Sequence, residues 1–234
     1  HFSVLSYNVR QLDKYNWSGI PDSEKRMLKY IRNFSGEIVC LQDFPSTGKA
    51  DLLKEYPYRH REKDLMILSR YPLLRKGEIH FNKEDIASCL FSDILIDSDT
   101  LRLYCAHLES YRFAAEDRQL FLEFAELKRE KLQEGIRSVI SRLISANKAR
   151  ARQARLLKEH INSSPYPVIL CGDFNDTPIS YTYATLNKNM QDAFIEKGRG
   201  VGNTYIGEFP SFRIDHILFS KTLTATFYSR DTLS

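Results

Sequence analysis

The 234-residue chain is predicted to be an α/β protein with a large β component. Three observations point there. Short apolar runs of strand length recur along the chain, each bounded by turn residues. Other stretches carry their apolar residues at helical spacing. Several strand-like runs end in polar groups, as scaffolds do when they present chemistry at strand ends.

The strand-like runs are residues 3–7, 37–41, 65–68, 88–96, 101–106, 168–171, 214–219 and 222–228. Valine, isoleucine, leucine and tyrosine dominate them, side chains that suit a pleated, half-buried surface. Residues 23–33 are predicted to be helical, with Met27, Leu28 and Ile31 on one face. Residues 181–186 are a candidate short helix. From 112 to 161 there is no proline and a single glycine, Gly135. Leu120, Phe121, Phe124 and Leu127, then Ile136, Val139, Ile140, Leu143 and Ile144, mark two long amphipathic helices with a break near Gly135. No Gly/Ser-rich linker or repeat divides the chain, so a single domain over 1–234 is expected.

Composition narrows the classes. Hydrophobic residues are 42% and charged residues 27%, ordinary for a folded globular domain. No apolar run approaches the ~20 residues of a membrane span. The net charge of +4 names no partner. Residues 128–158 hold ten basic and two acidic side chains, which suits either a solvated helix face or a surface for nucleic acid or anionic lipid. Cys40, Cys89, Cys105 and Cys171 each sit in an apolar run without CxxC spacing, so buried free thiols are expected rather than a zinc site or disulfide framework. The chain opens on His1 directly in a strand pattern, which points to a trimmed or mature form, with any leader or anchor of an exported protein outside the sequence.

The candidate site residues follow the strands. Asn8 follows the first run, Asp43 the second (after Gln42), His107 the fifth, and Asp173 with Asn175 the sixth; Asp215 lies in Arg213-Ile214-Asp215. Each has a structural explanation by itself. Asn8, Asp43 and the Asp173/Asn175 pair suit turns, His107 a satisfied core position, and Asp215 an ion pair with Arg213. Together they are rich in oxygen ligands, which fits Mg²⁺ or Mn²⁺ better than zinc.

The ordered motifs SYNVR, VCLQD, ILSRYP, AHLES, GDFNDTP and FRIDHIL resemble the endonuclease/exonuclease/phosphatase superfamily, in the manner of uncharacterised bacterial members. The resemblance spans the chain except the 112–161 helices. It implies a four-layer sandwich of two packed mixed β-sheets flanked by helices, and a divalent-metal-dependent phosphoester hydrolase; a monomer is expected. Asn8 and Asp43 would hold Mg²⁺ or Mn²⁺. Asp173 would position or activate water, His107 and Asn175 would bind the phosphate, and Asp215 would orient a second histidine near the chain's end. Nucleic acid is the first substrate expectation, with lipid head groups, inositol phosphates and nucleotides as others, and membrane contact through the basic helices as a further one.

Two departures stand out. Asp43 occupies a position where the family usually has glutamate. The closing Ser-Asp-His segment is missing, and Asp215-His216 does not replace it, because adjacent strand residues point to opposite faces. The expectation is that ~15–30 residues, the scale of a closing strand and its turn, follow Ser234. The rival expectation is a catalytically inactive relative that serves as a binding module.

Overall fold

The computed structural model describes residues 1–16, 18–45, 53–81, 88–111, 132–205 and 212–231. Its first half holds β1 (Val4–Asn8), a short 3-10 turn (Arg10–Asp13), α1 (Ser23–Asn33), β2 (Ile38–Gln42), β3 (Tyr58–Glu62), β4 (Leu65–Ser69), β5 (Leu73–His80), β6 (Ser88–Ile96) and β7 (Asp99–His107). The second half holds α2 (Leu132–Asn162), β8 (Val168–Asp173), α3 (Tyr181–Asn187), β9 (Met190–Asp192), α4 (Ala193–Lys197) and β10 (Asp215–Ser220). Two mixed sheets result, ordered β1-β2-β4-β3 and β5-β6-β7-β8-β10-β9. Among the described residues no helix is long and apolar enough to cross a membrane.

Strand periodicity builds the layers. In β2, Ile38 and Cys40 face the second sheet, where they meet Leu103, Cys105, Ile169 and Cys171. Val39 and Leu41 face the other way, under Leu28 and Ile31 of α1. In β7, Tyr104 and Ala106 face outward, under Ala154, Leu157 and Ile161 of α2 and Tyr183 and Leu186 of α3. The order is therefore α1, small sheet, large sheet, α2 with α3. This is the sandwich that the sequence motifs imply, and all four cysteines are free and buried within it.

Some local expectations fail for physical reasons. Residues 222–228 form no strand, although their side chains alternate; Leu223, Ala225 and Tyr228 instead pack on the inter-sheet core from an irregular segment. The expected break at Gly135 does not occur, since α2 runs through it; one helical glycine costs only about 1 kcal/mol, too little to end a helix with a long packed face. The first expected helix, from 112, falls mostly outside the described residues. The basic stripe is not uniformly a surface. Arg150 is fully buried and Lys158 nearly so, with Lys158 Nζ donating to the Leu186 carbonyl at 3.1 Å.

Candidate active site

The two sheets share one end, and the parity of each strand decides what arrives there. His107 shares the inter-sheet face of Leu103 and Cys105, Asp173 that of Ile169 and Cys171, and Asp215 that of Ile217 and Phe219. Strand register then aligns them. His107 pairs with Asp173 across parallel β7 and β8, and Asp173 with Asp215 across antiparallel β8 and β10. One imidazole and two carboxylates thus stand in a row on three neighbouring strands.

Gly172 makes that row possible. A Cβ at this position would lie 1.9 Å from the Ala106 carbonyl oxygen, and its φ is +150°. Only glycine lets β7 and β8 approach so closely one residue before His107 and Asp173.

The small sheet contributes the opposite wall. Asn8 Nδ2, at the end of β1, donates to Asp173 Oδ2 at 2.9 Å, a bond that crosses between the sheets. Asn8 Oδ1 accepts from the Arg10 backbone N–H at 3.0 Å. Asp43, just past β2, has a φ of 52° and is gripped twice by Gln11. The Gln11 backbone N–H donates to the Asp43 carbonyl at 2.7 Å, and Gln11 Nε2 donates to Asp43 Oδ1. Beyond Asp173 the chain turns at Asn175, whose φ of 50° is a conformation asparagine tolerates. Asp173 Oδ1 accepts the Asn175 backbone N–H at 2.7 Å, and Asn175 Nδ2 donates to the Leu108 carbonyl at 2.9 Å, with one amide hydrogen left over.

Asp64 was not among the residues singled out from sequence. It sits in the β3–β4 turn, and its Oδ2 lies 3.2 Å from His107 Nδ1. A turn aspartate two residues after Glu62 carries no local signal of this role; only the β3–β4 pairing places it opposite His107. Gln11 was missed for the same reason, since its partner lies on another strand end.

The electrostatics arise from this crowding. Burial works against a charge on His107, but the bond to Asp64 and the charges of Asp173 and Asp43 outweigh it and raise its pKa to about 9. Burial, followed by the charge of Asp173, pushes Asp215 up to about 8, against a hydrogen bond from Thr204 and the charge of His107. Among the described residues no lysine or arginine pairs with Asp43, Asp64, Asp173 or Asp215. The site therefore carries an excess of carboxylate.

Two neighbours have structural roles. Arg213 pairs with Asp192 at 2.7 Å and not with Asp215. His216 faces away from the row, as strand alternation requires. Its Nε2 meets the Asp176 carbonyl at 3.1 Å, and its ring packs between Phe174 and Tyr183.

A two-sheet sandwich with carboxylate, amide and imidazole groups gathered at one end defines the class of the endonuclease- and phosphatase-type folds. The chain belongs to the endonuclease/exonuclease/phosphatase family, whose model matches residues 5–234. No curated protein sequence matches it. Among solved structures it is similar to a Bacteroides thetaiotaomicron endonuclease/exonuclease/phosphatase family protein, at 15% identity and a TM-score of 0.67 over 93% of this chain and 82% of that one. It is also similar to the Bacteroides thetaiotaomicron mannosyl-6-phosphatase Bt3783, at 15% identity and 0.65 over 95% and 86%. D. rerio TDP2, solved with a single-strand DNA product, matches at 18% identity and 0.62 over 95% and 86%. At these identities the likeness shows the fold.

Proposed function

We propose that the protein hydrolyses phosphoester bonds with the help of a divalent cation. The observation that carries this reading is the His107–Asp173–Asp215 row, bridged to the other sheet through Asn8.

The donor set fits a hard cation. Asn8 and Asp43 are oxygen donors at the ends of adjacent paired strands, and among the described residues no lysine or arginine pairs with the surrounding carboxylates, Asp64 meeting only His107. Among the described residues no group of three or more His, Cys, Asp or Glu side chains could hold a metal ion by itself. Asn8 and Asp43 would instead hold the ion as an amide–carboxylate pair that leaves the rest of the coordination shell to water and substrate, as Mg²⁺ prefers. When bound, the ion supplies positive charge against the phosphoryl and leaving oxygens.

The protein's own groups divide the remaining work. Asp173, fixed by Asn8 and by the Asn175 backbone, orients the attacking water and takes its proton. The new P–O bond forms on one side of phosphorus while the bond to the leaving oxygen breaks on the other, and that oxygen keeps the electron pair. His107, kept protonated by Asp64, and the free amide hydrogen of Asn175 donate to the phosphoryl oxygens, where charge grows. Asp215 stands beside Asp173, where burial and the Asp173 charge keep it protonated up to about pH 8. Both solved phosphatase- and DNA-handling neighbours are consistent with phosphoester substrates; single-stranded DNA ends and sugar phosphates are the first to try.

Calorimetric titration with Mn²⁺ tests the ligand assignment. The wild type should bind one ion, and Asp43→Ala should weaken binding at least tenfold. Equal affinity in the two proteins, or no binding by the wild type, would remove the metal from the reading.

A further inference from the structure

Phosphoester hydrolysis by the His107–Asp173–Asp215 row leaves Asp176 and the charge of α2 without a task. The inward stripe of α2 runs through Ala146, Arg150, Ala154, Leu157 and Ile161, so a guanidinium occupies a core position. Burying that charge is costly unless its donors are met. They are met from both neighbouring loops and from the helix itself. Nε donates to Asp176 Oδ2 at 3.1 Å, Nη1 to the Glu109 carbonyl at 2.8 Å and Nη2 to Asn147 Oδ1. The guanidinium carbon lies 4.1 Å from the centre of the Tyr111 ring.

These contacts bind the two chain segments that present the phosphate-binding groups. Glu109 and Tyr111 come just after His107, and Asp176 just after Asn175. Gln153, nearly one turn further along α2, accepts the Glu109 backbone N–H at 3.1 Å, so the helix holds that residue by both its main-chain polar groups. The segments also hold each other. The Leu108 N–H donates to the Asp173 carbonyl at 3.0 Å, and Asn175 Nδ2 donates to the Leu108 carbonyl. Building on the hydrolase reading, we propose that Arg150 is a positioning residue for that reaction: it clamps the post-β7 and post-β8 loops to α2 and thereby fixes the separation of His107 and Asn175. A lysine in its place keeps the charge but cannot reach both loops with a planar fork. A misplacement of phosphate contacts on the order of 1 Å costs about a hundredfold in rate.

The test compares wild type, Arg150→Lys, Arg150→Ala and, as a control on the same helix, Arg137→Ala, all with Mg²⁺ and bis(p-nitrophenyl) phosphate. The clamp predicts a tenfold to hundredfold fall in kcat for Arg150→Lys, with KM within about threefold and a folded protein at the assay temperature. Methylguanidinium should restore part of the rate of Arg150→Ala. Amide hydrogen exchange should quicken together at residues 108–111 and 173–177 in Arg150→Lys, with β5 and β6 unchanged and Arg137→Ala like wild type. A folded Arg150→Lys with native kcat overturns the proposal, as does exchange that rises in one loop alone or evenly over the whole protein. A wild type that turns over no phosphoester refutes the hydrolase reading instead, and the exchange pattern then decides the clamp by itself.

Discussion

Replacing Gly172 by alanine tests the geometry that puts His107 beside Asp173. The added methyl would stand 1.9 Å from the Ala106 carbonyl oxygen and 2.8 Å from its carbon, both main-chain atoms that no rotamer change can move. Relief requires β7 and β8 to part where Ala106 pairs with Gly172. Overpacking of this kind costs about 1–3 kcal/mol, and a non-glycine residue at a φ of +150° adds a cost of similar order. The total is about 2–6 kcal/mol, and a domain of this size loses roughly 2–4 °C of Tm per kcal/mol. Thermal denaturation followed by circular dichroism should therefore show a fall of about 5–20 °C. Gly19→Ala is the control, since its φ is +65° but nothing lies within 4 Å of the new methyl. If Gly172→Ala melts no lower than Gly19→Ala, the close-approach argument is wrong.

Other sites give independent checks. Asp64→Asn removes the charge beside His107 Nδ1 and should lower kcat about tenfold to a hundredfold with little change in Tm, as measured by steady-state kinetics and melting. Asp192→Ala leaves the buried Arg213 guanidinium without its partner, strips the cap from α4 and frees the Tyr183 hydroxyl; denaturant titration should show a loss of about 3–5 kcal/mol. His216 has its pKa lowered from 6.5 to about 4, by burial first and then by Arg213, against its bond to Asp176. Its unfolded form binds a proton that the folded form refuses, so the stability it contributes is full above about pH 6.5 and is lost as pH falls towards 4. The loss is on the order of 3 kcal/mol. His216→Phe should therefore flatten the acid limb of a stability-versus-pH curve, and an unchanged limb would assign the acid sensitivity elsewhere.

The layers of this fold were legible because they rest on periodicity, which is local. The parity of Ile38, Cys40 and Gln42, or of Cys105 and His107, can be read from the chain alone. The strand ends that bear Asn8, Asp43, His107, Asp173 and Asp215 could be identified in the same way. What escaped was whatever depends on pairing. β3 reads YRHRE, too polar to mark as a strand, and gains its place only as an edge partner of β4. β5 is similarly masked by its charges, and its exposure shows why those charges are tolerated. Asp64 and Gln11 reach the site through such pairings, and Arg150 through a helix whose basic residues looked like one surface. The opposite directions of Asp215 and His216, by contrast, came from alternation alone and are seen in the structure.

Phosphoester turnover under metal control is the decisive measurement. Wild-type protein and Asp173→Asn should be assayed on bis(p-nitrophenyl) phosphate and on a sugar phosphate, first in excess chelator and then with Mg²⁺ or Mn²⁺ restored. The wild type should be silent in chelator and active once metal returns, while Asp173→Asn should lose about a hundredfold or more of that rate. Undiminished turnover in chelator, or equal rates in the two proteins, would contradict it.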